Sequence, residues 1–425
     1  MPEIPVGAQI FDVVFHPTFA TVYTGLLTGH VKAFAYDDQG AHKPVFSVRP
    51  AKSSCRGLSL NQDGSQLYAV GKGKSLSTID TLTEKMNIRT GAHDSTINRV
   101  KHLMPWLVST GDDDGVIKLW DPRQRDNVKE YTQHFDYITD FLWLDDKKQL
   151  VATSGDGTLS VMDVRSKKSE PVAQSEDQED ELLSIAAFKG GWGDCVDRIP
   201  GHPLSIDAIC NVPGDIPGID SSSTILTGSS DGLLRAVQIL PTKLLGVVAD
   251  HGEWPIERIS VGSGSRQLSI ETDDSDGSPS NISKKRLNDE TLSPSSRKWW
   301  VGSVGHDETL RMTDLEGFFR DNEHAEGQTG AIGLENVDGD SDQDEGEDNE
   351  GDADDKMDAV DVEGGNSASE DEDGDGDEDD EDEGKSSTPP PITKKRRAEP
   401  QPIVPKKKKK GGHAPEIDRA FFDDL

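Results

Sequence analysis

Short apolar and small-residue runs, broken by Gly, Asp and Pro, recur along the first three-quarters of the chain. The clearest is LVSTGDDDGVIKLWDPR, Leu107 to Arg123. Leu107 to Thr110 has the apolar, β-branched composition of a strand packed on both faces. Asp114-Gly115 supplies a tight turn, since Gly and Asp tolerate positive φ. Val116, Ile117, Leu119 and Trp120 form the returning strand. Pro122 ends it, having no N–H to give a ladder. A lone hairpin is marginal in water, so this one requires neighbours.

The same frame recurs in Val151–Arg165, Ile225–Leu240 and Trp300–Leu315, and more weakly in Val22–Tyr36 and Leu67–Asp80. Aligned on the turn, the anchor residues are Gly29, Lys74, Gly115, Gly157, Gly232 and Glu308, spaced by 45, 41, 42, 75 and 76 residues. Units of about 40–45 residues with four short strands each predict an all-β WD-repeat β-propeller. The two long intervals differ in kind. Between Gly157 and Gly232 an innermost strand, Leu182 to Phe188, is followed at once by Gly191–His202, which reads as an outer strand and the next turn. The fifth blade of a seven-bladed plan is therefore expected to be truncated, lacking its central hairpin. Between Gly232 and Glu308 the surplus is an insertion, residues 262–297, poor in apolar residues and expected to be a disordered loop. Glu3 to Gly7 is the expected outer strand that closes the ring by pairing with the last blade.

The propeller is thus expected over residues 1–320. Residues 321–384 read as an acidic disordered tract and 385–425 as a basic tail. Net charge is −35, but Asp338 to Glu383 holds 26 acidic residues and one lysine, so the charge describes the tail. Three unpaired cysteines (Cys55, Cys195, Cys210) argue for a reducing compartment rather than a disulfide framework. No apolar run reaches the ~20 residues that span a bilayer, and no membrane partner is expected. The tail clusters Lys394, Lys395, Arg396, Arg397 and Lys406, Lys407, Lys408, Lys409, Lys410 read as a nuclear and nucleolar import signal. Contact of these lysines with RNA is expected to be weak or indirect, because the adjacent polyanion competes for them. The chain ends in EIDRAFFDDL, with Phe421-Phe422 between acidic residues.

One polar set recurs with the repeats. His93 is placed to reach Ser109 or Thr110, which in turn reaches Trp120, while Asp114 in the turn fixes the imidazole tautomer. His134 with Asp156, His202 with Asp231 and His251 with Asp307 are the corresponding pairs. A hydrolase triad would use similar residues, but catalysis needs one copy and this set comes with each repeat. No cofactor, metal or catalytic residue is expected. Asp371-x-Asp373-x-Asp375-Gly376 lacks the closing Glu and the flanking helices of a calcium loop. Arg123 and Arg165, in Trp120-Asp121-Pro122-Arg123 and Asp163-Val164-Arg165, suggest an alternative role. In substrate receptors of cullin-RING ubiquitin ligases, such WD-x-Arg boxes dock an adaptor.

With the repeats, WGDCVDRIPGHP, the stretch Leu226 to Arg258 and the acidic-then-basic tail taken together, the chain resembles one family. It is similar to the nucleolar WD-repeat proteins of the fungal Jip type and the vertebrate WD repeat protein fifty-five. The resemblance implies a seven-bladed propeller in the nucleus and nucleolus. It implies a non-enzymatic scaffold in ribosome biogenesis, in ribosomal RNA processing for the large subunit, whose partners are proteins of pre-ribosomal particles. A monomer within a larger assembly is expected.

Overall fold

Antiparallel pairing accounts for nearly every strand the periodicity predicts. The computed structural model describes residues 2–187, 199, 201–216, 218–239, 241–264, 269–271, 283–285 and 298–326. After β1 (Glu3–Pro5), the first blade is β2 (Ile10–Phe15), β3 (Thr21–Leu26), β4 (Val31–Tyr36) and β5 (His42–Val48). The second is β6 (Cys55–Leu60), β7 (Gln66–Gly71), β8 (Leu76–Asp80) and β9 (Met86–Arg89). The third is β10 (Ile97–Met104), β11 (Leu107–Asp112), β12 (Ile117–Trp120) and β13 (Asn127–Tyr131). The fourth is β14 (Ile138–Leu144), β15 (Gln149–Ser154), β16 (Leu159–Asp163) and β17 (Ala173–Gln174). The fifth is β18 (Ile206–Asn211), β19 (Thr224–Ser229), β20 (Leu233–Ile239) and β21 (Thr242–Asp250). The sixth starts with β22 (Ile256–Gly262). A short ribbon of β23 (Ser269–Glu271) and β24 (Ser283–Lys285) follows, and then β25 (Trp300–Gly305) and β26 (Thr309–Asp314). β1 pairs with β26, Glu3 opposite Arg311, so the N-terminal strand closes the ring as expected.

Six four-stranded blades are present among the described residues, where the sequence suggested seven with one truncated. No fifth-blade sheet forms over residues 182–187, which lie in an extended segment outside any sheet. Phe188 and residues 191–198 lie outside the described residues. In the insertion, β23 pairs with β24, a ribbon the loop reading did not anticipate. The acidic tract, both basic clusters and Phe421-Phe422 also lie outside the described residues.

Packing between blades explains the small residues. The second strands β3, β11, β15, β19 and β25 are buried along their whole length. The first residues of four innermost strands, Ile10, Ile97, Ile138 and Ile256, are fully buried, each contributing about 2–3 kcal/mol by removal from water. A Cβ on Gly111 would lie 2.6 Å from Ile138, and one on Gly228 2.7 Å from Ile256. In these two second strands the glycine is therefore the seat for the next blade's isoleucine. The anchor position of the repeat has a left-handed backbone in all six blades: Gly29 (φ 80°), Lys74 (55°), Gly115 (76°), Gly157 (76°), Gly232 (81°) and Glu308 (56°). A Cβ is disfavoured there, which is why four of the six are glycine.

One helix, α1 (Leu315–Glu326), follows β26 and runs past the boundary expected at residue 320. Asp314 caps it, accepting the Gly317 N–H at 3.1 Å. Leu315 and Phe319 bury one face against a core that includes Val248 and Val301.

Candidate functional site

In the third to sixth blades the recurring polar set joins a histidine in the loop before the blade to a hydroxyl on its second or third strand. In the third blade His93 Nδ1 lies 2.7 Å from Asp112 Oδ2, and its Nε2 2.6 Å from Thr110 Oγ1. Trp120 Nε1 donates to the same hydroxyl at 2.7 Å. One assignment made from sequence is corrected here and one open alternative is resolved. The carboxylate is Asp112 rather than Asp114. Asp112 ends β11, where Oδ1 caps the turn by accepting the N–H groups of Asp114 and Val116, leaving Oδ2 for the imidazole. The side chain of Asp114 faces solvent instead. The hydroxyl is Thr110 rather than Ser109, whose Oγ turns back to Lys101 O, because adjacent strand residues face opposite ways.

His134 and Asp156 meet at 3.2 Å, with Ser160 on Nε2 at 2.7 Å and Thr158 on Nδ1 at 3.0 Å. Burial holds the His134 imidazole below its ordinary pKa, against the pull of Asp156. His251 meets Asp307 at 2.9 Å and Ser303 at 2.8 Å. His202 reaches Thr227 at 2.8 Å, but Asp231 forks onto Arg235 at 2.6 and 3.0 Å instead of joining it. A guanidinium from the neighbouring strand draws a carboxylate more strongly than a neutral ring. His93, Thr110, Ser160 and Ser303 are buried to within 2 %, so no substrate reaches these hydroxyls. The sets fasten blades, and apart from Asp307 Oδ1 their polar groups largely satisfy one another.

The centre of the ring carries the charged chemistry that sequence reading did not isolate. Every innermost strand has a register shift after its first residue, and the residues that follow it are Asp12, Gly57, Arg99, Asp140, Ala208 and Arg258. Here an acid ties its blade to the next. Asp12 Oδ2 accepts Leu58 N–H at 2.6 Å, and Asp140 Oδ2 accepts Ser184 Oγ–H at 3.0 Å and Ile185 N–H at 3.3 Å. Ser184 Oγ in turn accepts Ile209 N–H, at 3.2 Å, from β18. Residues 182–187 thus bridge β14 and β18 with the bonds an innermost strand makes elsewhere. Burial pushes the half-buried Asp12 carboxyl up to about 6, against the pull of Arg99.

At the end of the channel where the innermost strands begin, a cavity of about 530 Å³ is lined by Arg56, Arg99, Arg258, Tyr137, Asp113, Glu257 and neighbours. Arg99 Nε and Arg258 Nη2 both donate to the carbonyl of Thr139, the latter at 3.3 Å. Residues spaced across four blades converge here, which only the ring closure reveals.

Arg123 and Arg165 sit at the other ends of their third strands. Each forks onto its own aspartate: Arg123 Nε and Nη2 onto Asp121 at 2.9 and 2.7 Å, Arg165 onto Asp163 at 3.0 and 2.9 Å. Hydrogen bonds from Arg123 and Arg165 hold the Asp121 and Asp163 carboxyls below their ordinary range. Both side chains stay mainly exposed, at 71 % and 63 %.

Comparison with known proteins places these features. The family model "WD domain, G-beta repeat" matches residues 85–121 and 125–163. The WD repeat-containing protein JIP5 of Laccaria bicolor is 57 % identical over 459 aligned positions covering 100 % of both chains. JIP5 of Coprinopsis cinerea is 62 % identical over 76 % of each chain. A more distant relative, WD repeat-containing protein 55 of Arabidopsis thaliana, is 30 % identical over 74 % of this chain and 82 % of its own.

Proposed function

Because the chain belongs to the family of WD repeat-containing proteins JIP5 and 55, we propose that it is a non-enzymatic scaffold for nucleolar ribosome biogenesis. In this reading it serves ribosomal RNA processing for the large subunit and binds proteins of pre-ribosomal particles. The observation that carries the scaffold role is the repeated, buried His–Asp–hydroxyl set. Its polar groups are spent inside the blades, which leaves the loops at the two ends of the channel to meet partners. The import signal at Lys394–Arg397 and Lys406–Lys410 supports the nucleolar part. A fluorescent reporter fused to residues 385–412 should concentrate in nuclei and nucleoli; a reporter that stays cytoplasmic overturns the assignment.

A second reading, docking of a ubiquitin-ligase adaptor through Arg123 and Arg165, is favoured by one observation. Each aspartate fork holds its guanidinium in place while leaving it exposed, with N–H donors to spare. Substituting both arginines by alanine and measuring adaptor co-purification separates the two readings, since unchanged recovery removes the second.

A further inference from the structure

We propose that the channel mouth is the docking site for the chain's own C-terminal segment, Glu416–Leu425. Its aspartates would meet Arg99 and Arg258, and Phe421 and Phe422 would enter the cavity.

The mouth calls for an anion. Two guanidinium groups, Arg99 and Arg258, point at one carbonyl oxygen, Thr139 O. Arg99 is held otherwise by the carbonyls of Arg56 and Asn98. Neutral acceptors position a charge without cancelling it, Asp12 pulls on Arg99 from within the channel without bonding it, and two guanidinium groups this close favour a further anion at the mouth. Among the described residues no carboxylate lies within ion-pair distance of Arg99. The acids at the mouth are committed elsewhere. Asp113 accepts from Arg56 and Asn98, Asp207 from Ser205 and Ser230, and Glu257 pairs with His306.

The mouth also calls for aromatic or aliphatic contact. The loops around it expose Phe135 at 90 %, Leu204 at 55 % and Trp254 at 51 %, each just past a blade histidine. Exposed apolar side chains on the loops that lead into an arginine-lined cavity are the composition of a binding hot spot, and about 530 Å³ accommodates two phenyl rings.

Beyond residue 326 one segment has the matching chemistry. Phe421 and Phe422 are the only aromatic residues there, flanked by Glu416, Asp418, Asp423 and Asp424. The tract Asp338–Glu383 has charge and no aromatic, and the lysine clusters have the wrong sign. The 89 residues between Glu326 and Glu416 span roughly 50 Å as a flexible chain, enough to reach across a propeller.

The test places the photoreactive p-benzoylphenylalanine at Phe421 in the full chain, irradiates at submicromolar concentration and maps the products. Crosslinks within one chain to peptides containing Phe135–Thr139 or Trp254–Arg258 are expected. Asp423→Lys with Asp424→Lys should lower their yield at least fivefold. Both changes lie outside the propeller and leave it folded. Crosslinks to other surfaces, crosslinks only between chains, no crosslinks, or a yield indifferent to the lysines would each overturn the proposal. None of these outcomes depends on where the protein resides in the cell.

Discussion

Asp112 and Asp114 are two residues apart and chemically identical, yet the structure gives them opposite weights. Replacing Asp112 by alanine removes a 2.7 Å bond to the buried His93 and two turn caps, to Asp114 N–H and Val116 N–H. A bond to a charged acceptor is worth about 1.5–3 kcal/mol, and each lost cap adds about 0.5–1. Both side chains of the His93–Asp112 pair are essentially buried, so water does not replace the bond. The total is about 3 kcal/mol. With a urea slope near 3 kcal/mol per M for a domain of this size, the unfolding midpoint should fall by about 1 M. Asp114→Ala, at an exposed turn position, should move it by less than about 0.2 M. Equilibrium urea unfolding followed by tryptophan fluorescence measures both variants in one experiment. Equal shifts, or a larger one for Asp114, would refute the assignment of the histidine's partner.

Glu308 sits at φ 56° where four equivalent positions hold glycine. Glu308→Gly should therefore raise stability by about 0.5–1 kcal/mol, while Gly232→Ala should lower it, its Cβ falling 2.1 Å from Gly252 O; thermal unfolding reads both. His134 titrates below its ordinary 6.5 in the folded protein because it is buried. As pH falls below 6.5 the unfolded chain gains a proton that the folded one refuses, so stability declines. The slope of unfolding free energy between pH 7 and 5 should flatten in His134→Gln, and an unchanged slope would contradict the burial argument. Asp140→Ala should release residues 182–187, seen as faster amide exchange at Ile185 with little change at Leu58, which Asp12 holds.

The repeat was legible because each unit announces itself twice: a strand buried along its whole length, such as Leu107–Asp112, and a left-handed turn residue. The N-terminal closure was legible because Glu3–Pro5 precedes the first innermost strand with no sheet of its own. Within Asp112-Asp113-Asp114 the sequence offers three equal carboxylates, and only the end of β11 decides which one faces His93. Asp231 was assigned to His202 by spacing, but spacing does not weigh the guanidinium of Arg235 four residues further on. The blade count failed for a related reason. Leu182–Ala187 looks like an innermost strand, and it makes such a strand's bonds to Asp140 and Ile209, yet no sheet builds on it among the described residues. Helix α1 escaped notice because only Leu315, Phe318 and Phe319 mark its packed side in an otherwise polar stretch. The channel mouth escaped because Arg56, Arg99, Tyr137 and Arg258 converge only after the ring closes.

That closure has a consequence for how the protein is made. β1 leaves the ribosome first, and its partner β26 ends at Asp314, roughly 310 residues later. At about 5–20 residues per second, the first strand waits some 15–60 s for the only edge that completes it. During that time β1 has no partner strand and the sixth blade that will receive it is still being made, and an unpaired strand can recruit another chain. Glu3 forms an ion pair with Arg311 at 3.0 Å when the two finally meet. Nascent-chain lengths that stop short of residue 314 should therefore be the ones most dependent on chaperones, and an N-terminal fusion that delays this pairing should lower the yield of soluble protein.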